Sequence, residues 1–202
     1  MVGNWLGIVP MILGGIIIYL TRYEVISTRS IPGITQEIER IPEKIASDFP
    51  DLDPVAIKYL EEAINSLKHG IVRGAAISLG ASSERIIDQL ISTFASAIDG
   101  EINKTRFKER VNRKNISSRY EEFLKSYKAM KNKPDEKWAN ELPEIMDQMF
   151  QFLRILRNES AHPFSESKIE REMVISQFGQ FYKYAGSLHQ LMQFLTRNTV
   201  EL

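Results

Sequence analysis

The chain contains no cysteine. That excludes disulfide bridges, thiolate zinc sites and thiol nucleophiles. Histidine is scarce: His69, His162 and His189 are the only three, and they lie far apart in sequence. No HExxH-type ligand pair can be formed from them, so no metal is expected at the site. Neither GxxxxGK[ST] nor GxGxxG occurs, which argues against P-loop and Rossmann nucleotide sites. Net charge is also missing: 26 Lys and Arg balance 26 Asp and Glu. A zero balance gives no global field to attract nucleic acid, so any basic surface must be local. What is present is 43% apolar residues in 202, enough to build a core of ordinary domain size.

Three parts are expected. Residues 1–23 form an apolar segment, 24–50 a connector with one short helix, and 51–202 a helical domain. "MVGNWLGIVPMILGGIIIYLT" carries no charged side chain, and its length approaches the ~30 Å apolar thickness of a bilayer. Trp5 stands near one end, Tyr19, Arg22 and Tyr23 near the other, as in a membrane-interface belt. The reading favoured is one membrane anchor over residues 5–20, with the rest of the chain on the cytoplasmic side because basic residues follow it and none precede it. A buried strand or helix remains the alternative, since "GIIIYL" also suits a strand. A signal peptide fits less well, for lack of a basic start and a small-residue cleavage site.

Beyond residue 50 the pattern is helical throughout, and the expected fold is all-α, a bundle of four long helices with extra short ones. Asp53 and Pro54 start a helix whose apolar set is Val55, Ile57, Leu60, Ala63, Ile64 and Leu67, closed by Gly70. Ile71 to Ile98 follows, crowded early with Gly, Ala and Ser. Such residues let a second backbone approach closely, so this helix is expected at the centre. "KTRFKERVNRK" places Lys104, Arg106, Lys108, Arg110, Arg113 and Lys114 around a narrow stripe of Phe107 and Val111. It reads either as a solvated face, the usual meaning of a charge run, or as a phosphate-binding ridge for RNA. Ser117 is expected to cap the next helix. Pro143 should lie near the start of another, whose apolar face is Ile145, Met146, Met149, Phe150, Leu153 and Leu156. His69 sits at a helix end, where a cation complements the dipole, and His189 lies among polar residues of the last helix.

The chemistry concentrates in "LRILRNESAHP", residues 153–163. Arg157 supplies a planar, permanently charged fork that matches a phosphate. His162 can exchange a proton near neutral pH, and Asn158 can orient it or bind a phosphate oxygen. RNA brings its own nucleophile, the 2′-hydroxyl, so a base and a cation suffice for cleavage without metal or cofactor.

"RNESAH" resembles the Arg-Asn-x-x-x-His signature of the HEPN superfamily. The resemblance extends over roughly residues 50–196, through "DPVAIKYLEEAINSLKHGIVRGAAISLGASSERIIDQLI" and "IEREMVISQFGQFYKYAGSLHQL". It implies a HEPN-like bundle, metal-independent endoribonuclease activity in defence, toxin–antitoxin or stress systems, and a homodimer with both protomers' Arg157 and His162 in one cleft. An antitoxin or sensor partner is implied as well. Glu84 stands where the family carries a glutamate, and pairing with an arginine in the core is its other reading. Phe164 occupies the place of a tyrosine that accepts a nucleotide modification in some toxin members, so that form of control is not expected. HEPN domains also occur as inactive modules that dimerise and bind a protein, RNA or nucleotide.

Overall fold

The structure is a computed structural model that describes residues 36–134, 137–161 and 169–202. The expected anchor and the first part of the connector lie outside these residues, as do His162 and Phe164. Eight helices are present among the described residues: α1 (Gln36–Glu39), α2 (Ile41–Asp48), α3 (Pro54–Lys68), α4 (Val72–Ala97), α5 (Glu101–Val111), α6 (Ile116–Ala129), α7 (Lys137–Ala161) and α8 (Arg171–Arg197). No described residue belongs to a strand; one isolated parallel bridge joins Ile98 to Val200. The fold is all-α, and no described helix is long and apolar enough to cross a membrane.

Helix α4 is the axis of the bundle and packs against α3, α5, α6, α7 and α8. Its composition explains this. Ala75, Ala76, Gly80, Ser82 and Ser83 are buried, and small side chains bring neighbouring backbones close. The two buried hydroxyls find partners across helix interfaces, which removes the cost of an orphaned polar group. Ser82 Oγ donates to the Ala56 carbonyl on α3 at 2.8 Å, and Ser83 Oγ lies 3.1 Å from the Tyr184 hydroxyl on α8. Further along, α4 changes to large residues. Phe94 packs against Phe107 of α5 and meets Phe123 of α6 edge-on, with ring centroids 5.3 and 5.1 Å away. Burying each such ring stabilises by about 1.5–3 kcal/mol.

The ends of α3 follow the local chemistry. Asp53 accepts a hydrogen bond from the Val55 amide at 2.8 Å, and Gly70 closes the helix with φ of 73°. Within α3 the inward position is Ala56, fully buried, while Val55 is 40% exposed. The expected apolar set was therefore one residue out at its start: Ala56, whose carbonyl accepts from Ser82 of α4, faces the core, and Val55 points about 100° away from it around the helix. Helix α6 begins two residues earlier than expected. Asn115, not Ser117, is the cap and accepts from the Ser118 amide at 2.9 Å, and Ile116 packs partly buried against the core.

Pro143 also departs from expectation. It lies inside α7, not at its start. A proline there has no N–H for the carbonyl four residues back. That carbonyl belongs to Ala139, and the buried Tyr127 hydroxyl of α6 donates to it at 3.1 Å. A tertiary hydrogen bond thus replaces the missing helical one. Burial pushes the Tyr127 phenol up to about 12, consistent with a hydroxyl that stays protonated and donates. Five of the six apolar positions expected on α7 are buried; Ile145 is 38% exposed.

The core reaches back past Pro50. Ile41 and Ile45 join it, and the connector region holds two short helices, α1 and α2, rather than one. Phe49 rests on α8 so closely that a Cβ at Gly186 would lie 2.9 Å from its ring. His189 packs here too. It is buried, 3.6 Å from an Asp51 carboxylate oxygen and 5.2 Å from the Phe49 ring, not set among solvated polar residues. At the end of α3, a ring nitrogen of His69 lies 2.8 Å from the Asn65 carbonyl.

Candidate functional site

The candidate site forms where the last turns of α7 cross α4. Leu153 and Leu156 are buried and fix the rotation of α7. Arg157 then falls at the edge of the contact, with Asn158 exposed beside it. Gly80 of α4 makes the crossing possible. A Cβ built there would sit 2.6 Å from Arg157 Cβ and 3.0 Å from the Leu153 carbonyl oxygen, so only glycine fits beneath the arginine stem.

One turn along α4, Glu84 meets the guanidinium, with Arg157 Nη1 3.3 Å from Glu84 Oε1. Nη1 also donates to Asn158 Oδ1 over a longer 3.4 Å. Arg157 Nε is buried and has no hydrogen-bond partner among the described residues. Burial raises the Glu84 carboxyl above its ordinary value, and the attraction of Arg157 and then Arg154 only partly offsets that. Arg154 itself is held by Gln151, donating through Nε and Nη2 at 3.1 and 3.0 Å. The fork is therefore fixed at its stem and half-exposed at its tip, a cation placed for an incoming anion but already facing one carboxylate.

The six basic residues of 104–114 have different surroundings. Lys104 turns toward Glu101, 3.8 Å away. Arg110 and Lys114 converge on Glu122 of α6, at 3.4 and 3.6 Å. Arg106 is exposed. Lys108, Arg113 and Lys114 face α4 across a groove of about 750 Å³, which Arg119 of α6 also lines. Arg119 was not among the expected residues. It pairs with Asp88, four residues beyond Glu84 on α4. Sequence spacing offers one signal for this: Glu84 and Asp88 lie one turn apart on the same helical face. Among the described residues no cluster of three His, Asp or Glu side chains could hold a metal.

No protein-family model, curated protein sequence or solved structure matches the chain.

Proposed function

We propose that this chain is a metal-independent endoribonuclease of the HEPN type, acting in a defence, toxin–antitoxin or stress response. The observation that carries the reading is Arg157 fixed over Gly80 and half-exposed at the end of α7, five positions before the histidine of Arg-Asn-x-x-x-His. In the reaction, His162 takes the proton of an RNA 2′-hydroxyl, whose oxygen attacks the adjacent phosphorus. The bond to the 5′-oxygen breaks, that oxygen takes a proton from the protonated His162 or from water, and Arg157 stabilises the charge that develops on the phosphate. The products are a 2′,3′-cyclic phosphate and a 5′-hydroxyl. Asn158 orients the histidine or a phosphate oxygen. A homodimer joined at this face would place two such sets in one cleft, and residues 5–20 would tether the protein to the cytoplasmic membrane. An antitoxin or sensor would hold the activity in check.

One observation favours a second reading. Glu84 already neutralises Arg157 and ties α4 to α7 without any ligand. A HEPN-type module that binds a partner and catalyses nothing would keep that pair as a structural link.

The experiment is cleavage of labelled RNA by the full chain in excess chelator. His162→Ala is expected to slow it by roughly two to four orders of magnitude, the size of an acid–base contribution, while leaving the fold intact. Arg157→Lys should also be poor, because a point charge cannot replace the fork. Cleavage that needs a divalent ion, or that leaves a 3′-hydroxyl, rules the mechanism out. Unfolding of both variants favours the structural link.

A further inference from the structure

Glu84, Asp88, Ser92 and Ser96 form one row along α4, each four residues from the next. The row spans about 18 Å at 1.5 Å per residue. Its first two members are carboxylates and each holds an arginine from another helix: Glu84 holds Arg157, and Asp88 holds Arg119. Its last two are exposed serines that carry no charge. The serines form part of the α4 wall of the groove whose other side presents Lys108, Arg113 and Lys114. Among the described residues, Lys108 and Arg113 have no carboxylate partner. Lys114 shares Glu122 with Arg110, two cations to one carboxylate. Glu109 is the one acidic residue lining the groove. The carboxylates of α4 thus stop where the uncompensated cations begin, in a chain whose total charge is zero.

A second observation is independent of charge. Arg113 has φ of 56°, the only non-glycine residue with positive φ among those described. That left-handed conformation suits glycine or asparagine, and an arginine there is strained. The strained residue follows the end of α5, where glycine would terminate the helix at less cost. The arginine held there lines the groove.

We infer that this groove binds the sugar–phosphate backbone of single-stranded RNA and leads it along α4 toward Arg157. The choice of RNA as the polyanion rests on the ribonuclease reading above. Phosphates face Lys108 and Arg113. The Ser92 and Ser96 hydroxyls donate to carbonyls of their own helix at 2.9 Å, those of Asp88 and Ser92, which leaves their oxygens to accept from ribose hydroxyls. No aromatic ring lines the groove, so bases have no stacking platform there. Binding is therefore independent of base sequence and steeply salt-dependent.

The test uses full-length protein carrying His162→Ala, in chelator, so that cleavage does not interfere. Fluorescence anisotropy with a labelled 12-nucleotide RNA (about twice the length of the row at roughly 3.4 Å per nucleotide) gives affinity at several salt concentrations. Arg113→Gly, Lys108→Ala and the double variant are compared with the parent. Each single change is expected to weaken binding about fivefold and to lower the magnitude of the salt slope by about 0.7, one phosphate contact on a single strand. Arg113→Gly separates function from folding, because relief of the strained φ keeps the melting temperature or raises it by up to about 2 °C while affinity falls. The inference is overturned if the double variant binds RNA within about twofold of the parent. It is equally overturned if poly-glutamate or millimolar AMP displaces the RNA as well as unlabelled RNA does, since the groove would then serve an acidic peptide or a small ligand. Failure of the nuclease reading looks different: the parent without His162→Ala would not cleave, yet RNA affinity would still fall in the double variant.

Discussion

The two ends of the α4 row treat positive charge differently. At the Glu84 end, Arg157 is seated on a glycine, faces a half-buried carboxylate, and has its Nε shut away from solvent. At the Ser96 end, Lys108 and Arg113 stand in an open groove and form no ion pair among the described residues. A cation that must sit at one point is held by packing and by an opposing charge. A cation that only attracts a chain needs neither, and long side chains in water adjust to what arrives. Precision at one end and attraction at the other is the division expected of a site that reads a phosphate and a groove that delivers it.

The largest way to break this contrast is Gly80→Ala. The added methyl meets Arg157 Cβ and the Leu153 carbonyl, so α7 must move away from α4. A loss of about 1–3 kcal/mol is expected in denaturant unfolding, the usual size of overpacking. RNA cleavage should fall with it, while RNA binding in the groove should hold. Ser92→Asp sharpens the contrast from the other side by extending the carboxylates one turn further. Ser92 is exposed, so stability should change by no more than about 0.5 kcal/mol. RNA affinity should drop about tenfold, or roughly 1.4 kcal/mol, and anisotropy at low salt is the measurement.

Glu84→Gln gives a smaller effect with a defined pH dependence. The folded protein holds Glu84 with a raised pKa. A raised carboxyl pKa means that folding favours the protonated form, so the ionised group destabilises the fold as pH rises through that value. Glutamine should therefore raise the melting temperature slightly at pH 7, by the equivalent of less than about 1 kcal/mol, and the gain should vanish near pH 4. A loss at pH 7 that instead disappeared as pH fell would mean that the Arg157 attraction outweighs burial. The smallest effect is the stability of Arg113→Gly. Release of the left-handed strain, about 1–2 kcal/mol, is largely offset by the extra freedom of glycine in the unfolded chain, about 0.5–1 kcal/mol. A net gain of a few tenths is expected in thermal unfolding, and a loss would show that the Arg113 side chain supports the fold.

Arg157, Asn158 and the helix that carries them were legible from "LRILRNESAHP", because an apolar stripe ending in polar residues is a local pattern. The partner of Arg157 was legible only as one of two readings of Glu84. Gly80 was visible as one of several small residues in α4, with nothing to single it out. The six basic residues of 104–114 read as a solvated face or a phosphate-binding ridge, with nothing to show that Glu101, Glu122 and the turn at Arg113 divide them. Spacing along a helix says which side chains share a face, and it does not say which carboxylates of another helix will reach them.

The sequence by itself determined that the chain is helical, that Asp53 and Gly70 bound α3, and that α4 lies at the centre. Those outcomes rest on caps, periodicity and side-chain size, which act between residues within a few positions of one another. Only the tertiary contacts decided that α7 continues through Pro143, because the hydroxyl that satisfies Ala139 comes from α6. They likewise decided that His189 is buried against Phe49 and that Arg157 rests on Gly80 opposite Glu84. Most of these depend on how one helix is rotated and shifted against another. That register is fixed by the packing of the whole core, and no single segment carries it.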